Sequence, residues 1–231
     1  VDKSSGVGVV DKTVAVLQAV STAPRSLADL VLATGLTRPT AHRLALALEH
    51  HHLVGRDETG RFVLGPQAMA WAASADGLPA RAASVVADLR DATGLSAQVY
   101  RRMGDQRLCL AAAEPATGLR DTVPVGALLT LQAGSAAQIL VAWLPVDERE
   151  RLVRGAAFDE VQLARVRRRG YAHSLGQREP GVGSLSVPAR DEQGLVTAAV
   201  SISGPQERLS RPSASHRALL LQAAERLTGT P

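Results

Sequence analysis

Leu36-Thr37-Arg38-Pro39-Thr40-Ala41-His42-Arg43-Leu44-Ala45-Leu46-Ala47-Leu48-Glu49 is the stretch that decides the fold. It predicts a helix. Thr37 stands where a cap belongs, Pro39 falls in the first turn, where its missing N–H costs nothing, and Ala41, Leu44, Ala45 and Leu48 share one face. The opposite side of the first turns holds Arg38, Thr40, His42 and Arg43. Cationic and hydroxyl groups at that place suit a helix that enters the major groove of DNA end-on, because a guanidinium fork matches O6 and N7 of guanine and also pairs with phosphate. A solvated helix face would have the same composition, so the flanks decide between the two.

Upstream, Thr34-Gly35-Leu36 is the glycine turn that joins the two helices of a helix-turn-helix. Ser26, with Asp29 three residues on, resembles a capping box ahead of a helix over 27–33. A first helix is expected from Val9, Val10, Val14, Leu17 and Val20, starting near Asp11 and closed by Ala23-Pro24. Downstream, strands at 53–56 and 61–64 joined by Asp57-Glu58-Thr59-Gly60 make a hairpin wing, whose Arg56 and Arg61 could flank the DNA backbone. The unit over residues 1–66 is therefore a winged helix-turn-helix DNA-binding domain. A short Ala-rich linker helix follows within residues 67–78, and Asp76-Gly77-Leu78-Pro79 marks a domain boundary.

Residues 79–231 alternate helices and strands. Helices are expected at 79–93, 134–143, 147–151, 159–169 and 213–228, and strands at 96–103, 107–113, near Thr122 to Gly126, 183–189 and 195–203. Of 231 residues, 45% are hydrophobic and 21% charged, enough to bury a core in each of two domains. The formal charge is +4, yet residues 1–80 hold seven Lys/Arg and seven Asp/Glu. A DNA-binding reading must then rest on where the cations stand, not on their number. The chain contains no asparagine, so the Asn-to-adenine pairing is excluded and readout falls to Arg, Thr, His or Gln.

Cys109 is the single cysteine, which excludes an intrachain disulfide and a multi-thiolate metal site and suits a reducing compartment. No apolar run approaches the roughly 18 residues of a membrane helix, and Val1-Asp2-Lys3-Ser4-Ser5 lacks the pattern of an export signal, so a cytoplasmic protein is expected. His50, His51 and His52 point in different directions at a helix end and have no second ligand cluster, so no metal is expected there. Arg165, Arg167, Arg168 and Arg169 read as helix-end cations that favour the macrodipole rather than as a nucleic-acid patch. Ser184, Ser186, Ser201 and Ser203 alternate along two strands, so each pair faces one side of a sheet. They are ordinary strand serines or the wall of a polar pocket. No glycine-flanked nucleophile elbow surrounds any serine and His173 is the only nearby histidine, so no enzyme and no cofactor is expected.

Two stretches together resemble the IclR family of bacterial regulators. The first is Leu36 to Leu44 with Leu53-Val54-Gly55-Arg56-Asp57 and Gly60-Arg61-Phe62-Val63-Leu64-Gly65. The second runs from Gly170-Tyr171-Ala172 through Arg178-Glu179-Pro180-Gly181-Val182-Gly183-Ser184 to Pro188-Ala189-Arg190-Asp191 and Ala199-Val200-Ser201-Ile202-Ser203-Gly204-Pro205. The resemblance implies an α+β chain: an N-terminal winged helix-turn-helix and a C-terminal GAF-like effector-binding domain built on an antiparallel sheet. It implies a homodimer or tetramer on double-stranded operator DNA, with Thr37, Arg38, Thr40, His42, Arg43, Arg56 and Arg61 at the DNA.

An effector pocket is implied at Leu119, Ser135, Ala136, Ser174, Val182, Ser184, Ser201 and Ser203. Ser174, Gln177 and Ser184 stand where many relatives have Asp, Glu and Cys. Hydroxyls with backbone N–H groups suit a small carboxylate, keto acid or amino acid. The phrases 118–126 and 178–182 resemble an actinobacterial branch tied to amino-acid biosynthesis, notably leucine. The alternative is a ligand-binding GAF-like module whose helix-turn-helix serves protein contacts.

Overall fold

The computed structural model describes residues 5–74, 77–117 and 121–228, which divide into two compact units, Val1–Gly77 and Leu78–Pro231. In the first unit α1 (Gly8–Thr22), α2 (Leu27–Thr34) and α3 (Arg38–His50) pack around Val16, Val20, Leu30, Leu44 and Leu48. The capping box forms as its spacing requires: the Asp29 N–H donates to Ser26 Oγ at 3.2 Å and the Ser26 N–H to Asp29 Oδ2 at 3.0 Å. Gly35 closes α2 in the left-handed conformation at φ 67°. The first helix begins at Gly8 rather than near Asp11, with Val7 at its cap position and no side chain capping it. Backbone bonds carry the helix past Asp11, since the Val10 and Asp11 N–H groups both donate to the Val7 carbonyl, at 2.8 and 3.1 Å.

The wing is β1 (Val54–Arg56) against β2 (Phe62–Leu64), antiparallel, with Arg56 opposite Phe62. Arg25 adds a bridge on the other edge of β2, exchanging backbone hydrogen bonds of 2.9 and 2.7 Å with Phe62. α4 (Pro66–Ser74) leaves the wing through Gly65, where the chain passes so close that a Cβ would stand 2.2 Å from the His52 carbonyl oxygen. The Gln67 N–H donates to that same carbonyl at 3.0 Å.

The second unit is a six-stranded antiparallel sheet in the order β5-β4-β3-β8-β7-β6. Its strands are β3 (Ser96–Met103), β4 (Gln106–Ala113), β5 (Leu128–Thr130), β6 (Ala172–Leu175), β7 (Val182–Arg190) and β8 (Val196–Pro205). Helices α5 (Leu78–Thr93) and α9 (Ala214–Leu227) cover one face over Val99, Leu185, Val187, Val200 and Ile202. The other face packs α6 (Ser135–Ala142) and α8 (Glu160–Arg169), with Leu152 of α7 (Val146–Val153) in the same core. Every residue of α6 is buried, and its two polar side chains, Ser135 and Gln138, are hydrogen-bonded.

Two strands differ from expectation. Thr122 to Gly126 forms no ladder, because Pro124 cannot donate and Gly126 turns the chain at φ 85°. The edge strand comes later, at β5, pairing Thr130 with Gln106. The four-residue β6 has too short an alternation to be read in advance. Leu119 lies outside the described residues.

Candidate DNA interface and ligand pocket

At the start of α3 the helix presents Thr37, Arg38, His42 and Arg43 to solvent, while Thr40 is half-buried. Thr37 occupies the cap position, but its hydroxyl makes no backbone cap; it donates instead to Thr40 Oγ1 at 2.9 Å. The first-turn N–H groups of α3 thus lack a side-chain cap, the condition in which a helix N-terminus attracts phosphate. Neither Arg38 nor Arg43 has an ion pair among the described residues.

Both wing arginines are held. The Arg56 guanidinium donates to both Glu49 carboxylate oxygens at 2.8 and 3.2 Å and lies 4.2 Å from the centre of the Phe62 ring. Arg61 pairs with Asp57 at 3.0 Å. Asp57 in turn accepts from the Thr59 hydroxyl and from the N–H groups of Thr59 and Arg61, and these bonds, Thr59's hydroxyl first, pull its pKa to about 2. His50, His51 and His52 are exposed, and the described residues contain no group of His, Cys, Asp and Glu side chains able to hold a metal.

In the second unit, the expected pocket residues Ser135, Ala136, Ser174, Val182, Ser184, Ser201 and Ser203 line one cavity of about 30 Å³ between the amino end of α6 and the sheet. Sheet register explains the convergence. Ser184 lies opposite both Ser174 on β6 and Ser203 on β8, and Ser186 opposite Ser201, so alternation aims all of these side chains at α6. Their hydroxyls join in a chain: Ser174 to Ser184 at 2.9 Å, Ser184 to Ser135 at 2.7 Å, Ser135 to Ser186 at 2.6 Å and Ser186 to Ser201 at 2.5 Å. Ser203 exchanges hydrogen bonds with Gln98 at 3.0 and 3.1 Å.

Gln177, outside the cavity lining, buttresses the amino end of α6 by accepting from the Gly134 N–H at 3.1 Å and from Gln138 at 3.2 Å. The remaining wall was not foreseen. It contains Gln98, Tyr100, Arg107, Asp121 and Arg178, with Asp121 and Arg178 ion-paired. Burial raises the Tyr100 phenol well above its usual range. Cys109 is buried in β4, and burial pushes its thiol up to about 11, leaving a packing residue rather than a nucleophile.

Family models and known relatives agree with this architecture. The IclR helix-turn-helix domain matches residues 9–58, and the model described as the bacterial transcriptional regulator IclR C-terminal matches residues 71–228. The transcriptional regulator BhcR of Paracoccus denitrificans is 25% identical over 97% of this chain and 88% of its own length. A glycerol operon regulatory protein of Streptomyces griseus is 29% identical over 79% of this chain and 78% of its own. Among solved structures, the Thermotoga maritima IclR superposes with a TM-score of 0.67 at 18% identity, covering 96% of this chain and 97% of that one. An IclR homologue of Microbacterium hydrocarbonoxydans complexed with 4-hydroxybenzoate also gives 0.67, at 21% identity, over 95% and 97% of the two chains. None of these relatives bears a name tied to amino-acid biosynthesis. Among the described residues no helix is long and apolar enough to cross a membrane.

Proposed function

This chain belongs to the IclR family of bacterial transcriptional regulators, and from that premise we propose that it reads double-stranded operator DNA through Arg38, Thr40, His42 and Arg43 of α3 and responds to a small organic effector held by the α6 pocket. The observation that supports this most is the unpaired, exposed cationic face on the first turns of an uncapped recognition helix. Thr37 belongs to the same surface, while Arg56 and Arg61 reach phosphates only by sharing or exchanging their carboxylate partners.

The working form is a homodimer or a tetramer, since two α3 helices spaced about one helical turn, roughly 34 Å, match a palindromic operator. Effector switches the protein by binding the DNA-competent and incompetent arrangements with different affinity. The effector class that fits a wall of hydroxyls is a small carboxylate, keto acid or amino acid. Selection of genomic fragments by the full chain, followed by gel shift, tests the reading. Fragments bound better than random DNA support it. Uniform binding would favour the alternative, a ligand-binding module with a helix-turn-helix for protein contacts.

A leucine-biosynthetic target rests on the phrases 118–126 and 178–182 alone, and the glycerol operon relatives offer a competing one. The same selection decides between them. Fragments from upstream of leucine genes support the first, and fragments from elsewhere overturn it.

A further inference from the structure

One residue on the cavity wall is explained neither by the fold nor by the chain of serines. Arg107 of β4 is 3% exposed. Its guanidinium donates to the carbonyls of Thr130 and Ala133 and lies 5.3 Å from the centre of the Tyr100 ring. Its Nε has no hydrogen-bond partner, and among the described residues no carboxylate forms an ion pair with it. Asp121, the buried carboxylate on the same wall, is paired with Arg178 instead.

Gly134, the residue preceding α6, stands directly beside the cation: a Cβ there would lie 3.8 Å from Arg107 Nη2. At the amino end of α6 the Gly134 and Ser135 N–H groups donate to the neutral side chains of Gln177 and Ser184 at 3.1 and 3.4 Å. The positive end of a fully buried helix and a buried cation without an ion pair therefore meet at one wall of one cavity, where Asp121 acts on the cation only from beyond ion-pair distance. Burying an unpaired charge is unfavourable, and burial here pushes the Arg107 pKa down, yet guanidinium keeps its proton. A group that supplies the missing negative charge removes that cost.

We infer that Arg107 is the anchor for a single carboxylate on the effector, so that the pocket takes small organic acids and rejects their neutral isosteres. The inference rests on the reading of this cavity as the effector pocket. A planar carboxylate suits a guanidinium fork, the amino end of α6 lies beside it, and the serine hydroxyls remain for the acid's other oxygens. The cavity of about 30 Å³ holds one water-sized group, so entry of a whole acid requires its lining side chains to move.

The test is isothermal titration calorimetry on the full chain with pyruvate and 4-hydroxybenzoate against pyruvamide and 4-hydroxybenzamide, at constant ionic strength. At least one acid is expected to bind about tenfold or more tightly than its amide. Arg107→Met is expected to erase that preference and Arg107→Lys to reduce it, with unchanged circular dichroism. Should Arg107→Met fail to fold, the acid-to-amide ratio of the unaltered chain and the Arg107→Lys titration decide. Equal binding of acid and amide overturns the anchor while leaving an effector pocket in place. An acid preference untouched in the variants also overturns it, because the anion is then held elsewhere. Binding of none of the four overturns both the anchor and the pocket.

Discussion

Arg43 and Arg56 are both exposed arginines of the DNA-binding unit, but their surroundings assign them different energetics. Arg56 must give up two hydrogen bonds to Glu49 and part of its stacking on Phe62 before a phosphate can use it fully. Arg43 has no such partner among the described residues, so binding costs it only water and side-chain freedom. Replacing Arg43 with Ala is expected to weaken operator binding by about 1–3 kcal/mol and to relax specificity at one base, measured by fluorescence anisotropy on operator variants. Gly65 is a second residue where geometry decides. A Cβ there meets the His52 carbonyl at 2.2 Å and the Val54 carbonyl carbon at 2.8 Å, both backbone atoms with little room to yield. Gly65→Ala is expected to cost the first unit about 2 kcal/mol or more, read from its urea midpoint by near-ultraviolet circular dichroism.

Single elements show how far local chemistry governs this fold. The eight-residue α2 is too short to be stable alone, so its ends matter. Ser26→Ala removes the hydroxyl that accepts from the Asp29 N–H, with an expected loss of about 1 kcal/mol in a denaturant titration. The wing turn supplies a pH test. Asp57 has a folded pKa of about 2 against an ordinary 3.8, so its contribution to the turn is fully present above the ordinary value and is lost as pH falls through the folded one. Carbon-detected NMR should place the Asp57 carboxyl midpoint near 2, with the Thr59 and Arg61 amide signals moving in step. A midpoint near the ordinary value would mean that the turn does not hold in solution.

The same elements show what could be read from residues alone. α2, the Gly35 turn and α3 were legible because the α2 capping box, a left-handed glycine and a 3.6-residue apolar period coincide. Alternation placed Ser184 with Ser186 and Ser201 with Ser203 on one side of their strands, but the family resemblance, not alternation, joined them with Ser135 and Ser174 into a pocket wall. β5 and β6 were not, since three or four residues show no period. Arg107 was missed for a related reason: a cation in an alternating strand reads as a solvent-facing position, and only the cover supplied by α6 reverses that.

Across the whole molecule, charge and assembly are separate matters. The first eighty residues are electrically balanced, so affinity for operator must come from a few placed cations rather than a general field. The dependence of log K on log salt concentration is then expected to be shallow, and Arg38→Ala is expected to reduce its slope by about 1 if that residue meets a phosphate. Light scattering of the protein with a two-half-site operator is expected to show at least two chains per duplex. One chain per palindromic duplex would overturn the dimer.

The serine chain has a consequence at this scale too. Each hydroxyl has one proton to give and room to accept two, so each of Ser174, Ser184, Ser135, Ser186 and Ser201 donates at most one bond along the row. Ser135 donates toward Ser184, the sense in which the row points out at Ser174. An acid accepting at Ser174 uses the proton left free at the end of that row, whereas a ligand that donates there can use only the second acceptor site of the same oxygen. Acceptor and donor ligands bound at that one spot therefore meet different sites of the same hydroxyl, without any backbone having to move.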